Sequence, residues 1–221
     1  MAYDLLIKHG TVVDGTGAPA IHADIAVKDG VIVDIGQLSG SAATRSIDAS
    51  DLVVAPGFVD PHTHYDAQIC WDDVTSPSCW HGVTTVMMGN CGVGLAPCRP
   101  ESREVAAWDL VNVEAIPFEV LERGITWEWE TFPEFMQAAA ARRPGLNLAF
   151  LAPLTPFRHY VMGDASMERA ATPEETARIA TLLGEAMDAG AVGFSSTVLN
   201  QHMGYGGRPL ACRNASREEY Q

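Results

Sequence analysis

VVAPGFVDPHTHYD, Val53 to Asp66, is the stretch on which the reading of this chain turns. An apolar run climbs to Val59 and is followed by Asp60, His62, Thr63 and His64. In a β-strand alternate side chains share a face. A strand over Val53–Val59 that carries on into the motif therefore predicts His62 and His64 on one side and Thr63 on the other. Two imidazoles so placed can hold one metal ion, and imidazole is a common zinc ligand. A bare His-x-His is more often just two surface histidines after a strand. The setting favours metal: the pair ends a buried-looking strand, follows Pro56-Gly57, and is flanked by carboxylates at Asp60 and Asp66.

Upstream, residues 1–55 read as a small all-β unit. YDLLIKHGTVVDG holds short apolar runs broken by Gly10 and Gly15-Thr16-Gly17, and ADIAVKDGVIVDIG holds two strand-like runs joined at Asp29-Gly30. An Asp-Gly pair between such runs is a strong hairpin signal. A third run, Arg45 to Val54, leads into the quoted stretch. Downstream, over 56–221, β-rich runs alternate with helical ones, the pattern of βαβ units and a parallel sheet. The predicted strands are Val53–Val59, Val83–Met88, Asn147–Ala152 and Ala191–Ser196. Thr131–Arg143 reads as a helix capped by Thr131. Thr172–Ala189 is the clearest helix: Thr172-Pro173-Glu174-Glu175 supplies cap, first-turn proline and acids, and Ile179, Leu182, Leu183, Ala186 and Met187 make one apolar face. Cys98–Glu130, with Trp127 and Trp129, reads as a long loop or short helices, its tryptophans either packing or contacting substrate.

The chain has 221 residues, 47% of them apolar, which suits a folded protein of one large domain or one large and one small. A net charge of −14 argues against nucleic acid and anionic membrane surfaces as partners. Its 5 cysteines are odd in number and without a CxxC, so reduced thiols in a cytoplasmic protein are expected. MAYDLLIKHG is too short and too polar for a secretory signal, and no run reaches membrane-spanning length.

PGFVDPHTH resembles the first-strand signature of the amidohydrolase superfamily, metal-dependent hydrolases on a (β/α)8 barrel. The longer run HTHYDAQICWDDVTSPSCWHGVTTVMMGNCGVGLAP resembles the N-acyl-D-amino-acid deacylase (D-aminoacylase) branch. The resemblance extends from Tyr3 to Glu219 and is strongest from Val53 to Pro97. It implies an α/β fold. Residues 1–55 would form part of a β-sandwich that far C-terminal strands complete in the family. Residues 56–221 would form the first half of a (β/α)8 TIM barrel, about four βα units. A barrel so incomplete would leave strands one and four with open edges. The isolated chain is then expected to be inactive and to need a C-terminal half or a second chain.

The resemblance also assigns residues. Alone, Cys91 in GVTTVMMGNCGVG would read as a buried, inert thiol. Active sites of such barrels gather at the C-terminal ends of strands, and the family cysteine at GNCG is a metal ligand able to bridge two ions. The implied metal set is His62, His64 and Cys91, holding one or two zinc ions. Many superfamily members bridge their metals with a modified lysine on strand four; AVGFSSTV has none, which agrees with Cys91 in that place and argues against the hydantoinase branch. In PLTPFRHYVMG, Pro153 to Gly163, Arg158 matches a family arginine, while Leu154 stands where a histidine is expected. Arg158 either binds a substrate carboxylate or makes a structural ion pair. His202, in SSTVLNQHMGYGG, either contacts substrate or is an exposed loop histidine. Asp60 is read as an outer partner of the metal ligands and His159 as structural. The general base, an aspartate, is expected beyond residue 221. The activity implied is hydrolysis of a linear amide, an N-acyl-D-amino acid. Alternatives are a cyclic amide or acyl-peptide substrate, or a truncated, non-catalytic fragment.

Overall fold

Pro56 and Gly57 interrupt the stretch that was expected to be one strand. In the computed structural model, which describes residues 2–38 and 40–221, the chain divides at this point into a unit ending at Gly57 and a unit Phe58–Gln221. The first unit is a sheet of β1 (Tyr3–Val12), β2 (Ile21–Lys28), β3 (Val31–Gly36), β4 (Ala43–Asp48) and β5 (Val53–Val54). Its order is β3-β2-β1-β4, with β5 also pairing β1. β2 and β3 form the expected hairpin: Asp29 and Gly30 both take positive φ, 52° and 77°, the turn that matches strand twist. Val12, Ala23 and Ile25 make a small core, with Ile7 and Val54 against it. Val31, Ile32, Val33 and Ile35 on the edge strand β3 stay exposed.

The second unit opens with β6 (Phe58–Asp60), followed by β7 (Val83–Met88), β8 (Asn147–Pro153) and β9 (Gly193–Ser195), all parallel in the order β6-β7-β8-β9. The predicted strand Val53–Val59 is thus two strands in two sheets. The reason is local: Pro56 has no N–H to give to a ladder. β7 matches its predicted span, and β8 and β9 lie within a residue or two of theirs.

The helices are α1 (Arg103–Glu114), α2 (Phe118–Gly124), α3 (Phe132–Ala141), α4 (Leu154–Met162) and α5 (Pro173–Asp188). α3 and α5 start alike. Thr131 and Thr172 each accept a backbone N–H, and Glu134 and Glu175 reach back to the cap backbone, a full capping box with proline in the first turn. α5 buries Ile179, Leu182 and Ala186, spaced three and four apart. Cys98–Glu130 holds two helices where a loop was one expectation, and its tryptophans pack. Trp129 is buried and donates Nε1–H to the Leu95 carbonyl at 2.9 Å. PLTPFRHYVMG does not extend the third strand: α4 begins directly after Pro153. No helix among the described residues is long and apolar enough to cross a membrane.

Candidate metal centre

β6 ends at Asp60, so His62 and His64 stand just past the strand, in a segment anchored to β7. Thr63 N–H and Oγ1–H both donate to the Met87 carbonyl, at 3.0 and 2.7 Å. The alternation survives the end of the strand, with Thr63 buried between an exposed His62 and a half-buried His64. The Asp60 carboxylate accepts the His62 backbone N–H at 3.3 Å.

Cys91 arrives from the end of β7. Gly89 and Gly92 flank it with φ of 80° and 70°, and Cys91 itself takes φ 56°, an uncommon conformation for a side-chain-bearing residue. The glycines are needed for a second reason. A Cβ on Gly89 would lie 2.0 Å from the Leu151 carbonyl oxygen, and one on Gly92 would lie 2.9 Å from Cys212 Sγ and from Ser196 Cα. The turn is pressed against β8 and β9, where only bare backbone fits. Two side chains fasten it. Asn90 Nδ2 donates to the carbonyls of Thr63, at 3.3 Å, and Met87, at 3.0 Å. Ser195 Oγ accepts the Gly92 N–H at 2.9 Å and donates to the Gly89 carbonyl.

The result is convergence. One donor atom from each of His62, His64 and Cys91 lies within 4.8 Å of the others. Cys91 Sγ is 3.3 Å from His62 Nε2, and the two imidazole centroids are 5.3 Å apart. Burial, and then the charges of His62 and His202, hold the His64 imidazole down at about 4. Burial and then the Glu114 charge push the Cys91 thiol up. Asp66, fully buried behind the motif, is raised by burial to about 7, against the Gly89 N–H that lowers it. Such a desolvated cluster disfavours a proton on imidazole, and a cation would reverse the penalty on thiolate.

The residues present fit a divalent ion. His64 Nδ1 is buried with no hydrogen-bond partner, an orphan that proteins rarely leave without a ligand. Two imidazoles and a thiol form a donor set of zinc type. The other ring nitrogen of His64, Nε2, lies 3.2 Å from Glu114 Oε1. Glu114 was missed from sequence because it ends α1, in the stretch without a clear pattern.

The remaining candidates lie elsewhere or do something else. Arg158 has no exposed side-chain surface and pairs with the buried Glu219. Its Nη2 also donates to the carbonyls of Ser166, at 3.3 Å, and Arg169, at 2.7 Å. Of its two expected roles the structural ion pair is the one this structure displays. His159 is structural: Nδ1 meets Ser166 Oγ at 2.8 Å and Nε2 meets Asp109 Oδ2 at 3.2 Å. His202 sits on a loop tied to α1. Asp109 Oδ1 accepts the Tyr205 N–H at 2.8 Å, and Asn112 Nδ2 donates to the Gly204 carbonyl at 2.9 Å. His202 is half-buried with an unpartnered Nδ1, not a freely exposed loop histidine.

The model of the amidohydrolase family matches residues 45–221. A D-aminoacylase of Alcaligenes xylosoxydans xylosoxydans is 39% identical over 194 residues, covering 88% of this chain and 37% of that protein. The chain is similar to a solved D-aminoacylase, described as having a binuclear metal centre, with a TM-score of 0.79 and 32% identity, covering 99% of this chain and 41% of the other. It is also similar to the N-acyl-D-glutamate deacylase of Bordetella bronchiseptica, solved with zinc and a phosphonate mimic of the tetrahedral intermediate, with a TM-score of 0.75 and 32% identity, covering 94% of this chain and 40% of the other. The chain thus spans about two fifths of the length of the relatives it matches. With a family model matched over 45–221 and His62, His64 and Cys91 converging at the ends of β6 and β7, this chain belongs to the amidohydrolase family.

Proposed function

We propose that these residues form the metal-holding part of a zinc-dependent hydrolase of linear amides, with N-acyl-D-amino acids as substrates. The observation that carries this reading is the convergence of two imidazoles and a thiol within 4.8 Å at the C-terminal ends of parallel strands, where barrel enzymes build their sites. Zinc in an N-acyl-D-glutamate deacylase and a binuclear centre in a D-aminoacylase, both similar in fold to this chain, support the choice of metal and substrate class. His62, His64 and Cys91 would hold the ion. A zinc ion at such a site supplies Lewis acidity toward an amide carbonyl and toward water. Asp60 keeps the His62 backbone in place, Asn90 and Ser195 keep Cys91 aimed, and the loop held by Asp109 offers His202 to substrate.

The architecture we infer is the first part of a (β/α)8 barrel, about four βα units over 56–221, preceded in the sequence by a β-sandwich portion over 1–55. Two exposed apolar edges support it: Phe58 and Val59 on β6, and Phe194 on β9. Such edges suit a sheet that closes with further strands. The apolar exposed residues of β3 suit a sheet that another layer covers. The five unpaired cysteines suit a reducing compartment, the cytoplasm.

The experiment is metal analysis of the purified protein with hydrolysis of N-acetyl-D-amino acids against a hydantoin. Zinc is expected to copurify, and Cys91→Ser is expected to lose far more of it than Cys70→Ser, Cys79→Ser or Cys98→Ser. Equal losses across the four variants would end the metal assignment. Turnover of the hydantoin in preference to the linear amide would end the substrate assignment.

A further inference from the structure

Glu114 stands where a carboxylate is poorly served. It is the last residue of α1, and Ala115 ends the helix with φ 54°. The negative end of the helix dipole disfavours an acid there. It lies one turn beyond the buried Leu110, so its side chain points inward with the buried face of the helix. Its side chain is only 22% exposed, so it also bears a desolvation cost. Among the described residues the one basic side chain within 4 Å of its carboxylate is His64, whose Nε2 is 3.2 Å away, and no lysine or arginine reaches it. A residue that breaks two local rules at once suggests a function that outweighs them.

We propose that Glu114 is the positioning residue of this centre: it holds the His64 imidazole and sets a second negative charge beside the cation. This rests on the reading of His62, His64 and Cys91 as metal ligands. Ligand imidazoles are typically steadied by a carboxylate, carbonyl or water at the ring nitrogen that does not bind metal. The charges also balance. With an ion bound, a thiolate at Cys91 and a carboxylate at Glu114 would together match the charge of one divalent cation held by neutral imidazoles.

The position predicts opposite effects on stability and on metal. Zinc affinity of the full chain is measured by competition with a chromophoric chelator for wild type, Glu114→Gln, Glu114→Ala and, as control, Glu104→Gln on the exposed first turn of α1. Losing such an outer partner costs about 10–100-fold in metal affinity. That loss is expected for Glu114→Ala, with a smaller one for Glu114→Gln, which keeps an acceptor oxygen, and none for Glu104→Gln. The visible spectrum of the cobalt-substituted protein should shift with both Glu114 variants. The metal-free protein should melt no lower as Glu114→Gln, because removing the charge relieves the helix end. Zinc affinity within twofold of wild type in both Glu114 variants, with an unchanged cobalt spectrum, would overturn the proposal and leave the centre standing. Zinc binding absent from wild type, or unaffected by Cys91→Ser, would overturn the centre and this role with it.

Discussion

Two histidine clusters of this protein rest on the same helix and have opposite characters. His159 is enclosed by Asp109 of α1 and by Ser166, and both its ring nitrogens are partnered. His64 meets Glu114 of α1 on one nitrogen and leaves the other buried and unpartnered. The Ser166–His159–Asp109 arrangement has the residue types of a nucleophilic triad, yet Ser166 is wholly buried and its hydroxyl also donates to the Gly163 carbonyl at 2.7 Å. The His159 network, with both ring nitrogens partnered, is a fastening; the unpartnered His64 nitrogen, in a cluster with the donor atoms of His62 and Cys91, is a place for a ligand.

The sharpest way to break this contrast is at the buried ion pair of Arg158 and Glu219. Glu219→Ala leaves a guanidinium buried without its counter-charge. It is expected to cost about 3–5 kcal/mol, read from the urea midpoint at constant slope. A cost below about 1 kcal/mol would show that the pair is not sealed from water. Next is Asp109→Ala, which strips His159 Nε2 and the Tyr205 N–H of their acceptor. A loss of about 1–3 kcal/mol is expected, with zinc affinity changed far less than by Cys91→Ser. A collapse of zinc affinity equal to that of Cys91→Ser would mean that the two clusters are one. His62→Ala should behave in the opposite way. His62 is exposed and its ring is not part of the packed core, so the metal-free protein should keep its stability to within about 0.5 kcal/mol while zinc affinity falls. A large loss of metal-free stability would make His62 a fastening after all.

The smallest effect belongs to a pair open to solvent. The Arg169 guanidinium, with help from the Thr172 N–H, holds the Glu175 carboxyl at about 2, below its usual value of 4.5. Its folded-state value is depressed, so the contribution is present above pH 4.5 and fades as pH falls toward 2. Solvent screening keeps it within about 1 kcal/mol. The stability gap between wild type and Glu175→Gln should therefore narrow from pH 5 to pH 3. A gap constant across that range would remove the ion pair as its cause.

Local rules account for much of what was legible in advance. The Asp29-Gly30 hairpin, the β-branched Val83–Met88 and the two capping boxes depend on residues only a few positions apart. The break at Pro56-Gly57 was legible in principle, because proline cannot donate to a ladder, but the apolar run on either side concealed it. His62 and His64 were legible because a period of two survives the end of the strand. Cys91 was singled out by family resemblance, and only the fold shows why the turn around it is glycine on both sides: Leu151 and Ser196, about sixty and a hundred residues away, leave no room for a Cβ.

By itself, then, the sequence determined the elements and the candidate donors, since propensity, capping and alternation are short-range. The tertiary structure alone decided which polar side chains were buried and which partners they met. It enclosed Arg158 against Glu219, fastened His159 between Asp109 and Ser166, and brought Glu114 from the end of α1 to His64. Burial and partner count are properties of packed neighbours far apart in the chain, and no spacing along the sequence encodes them.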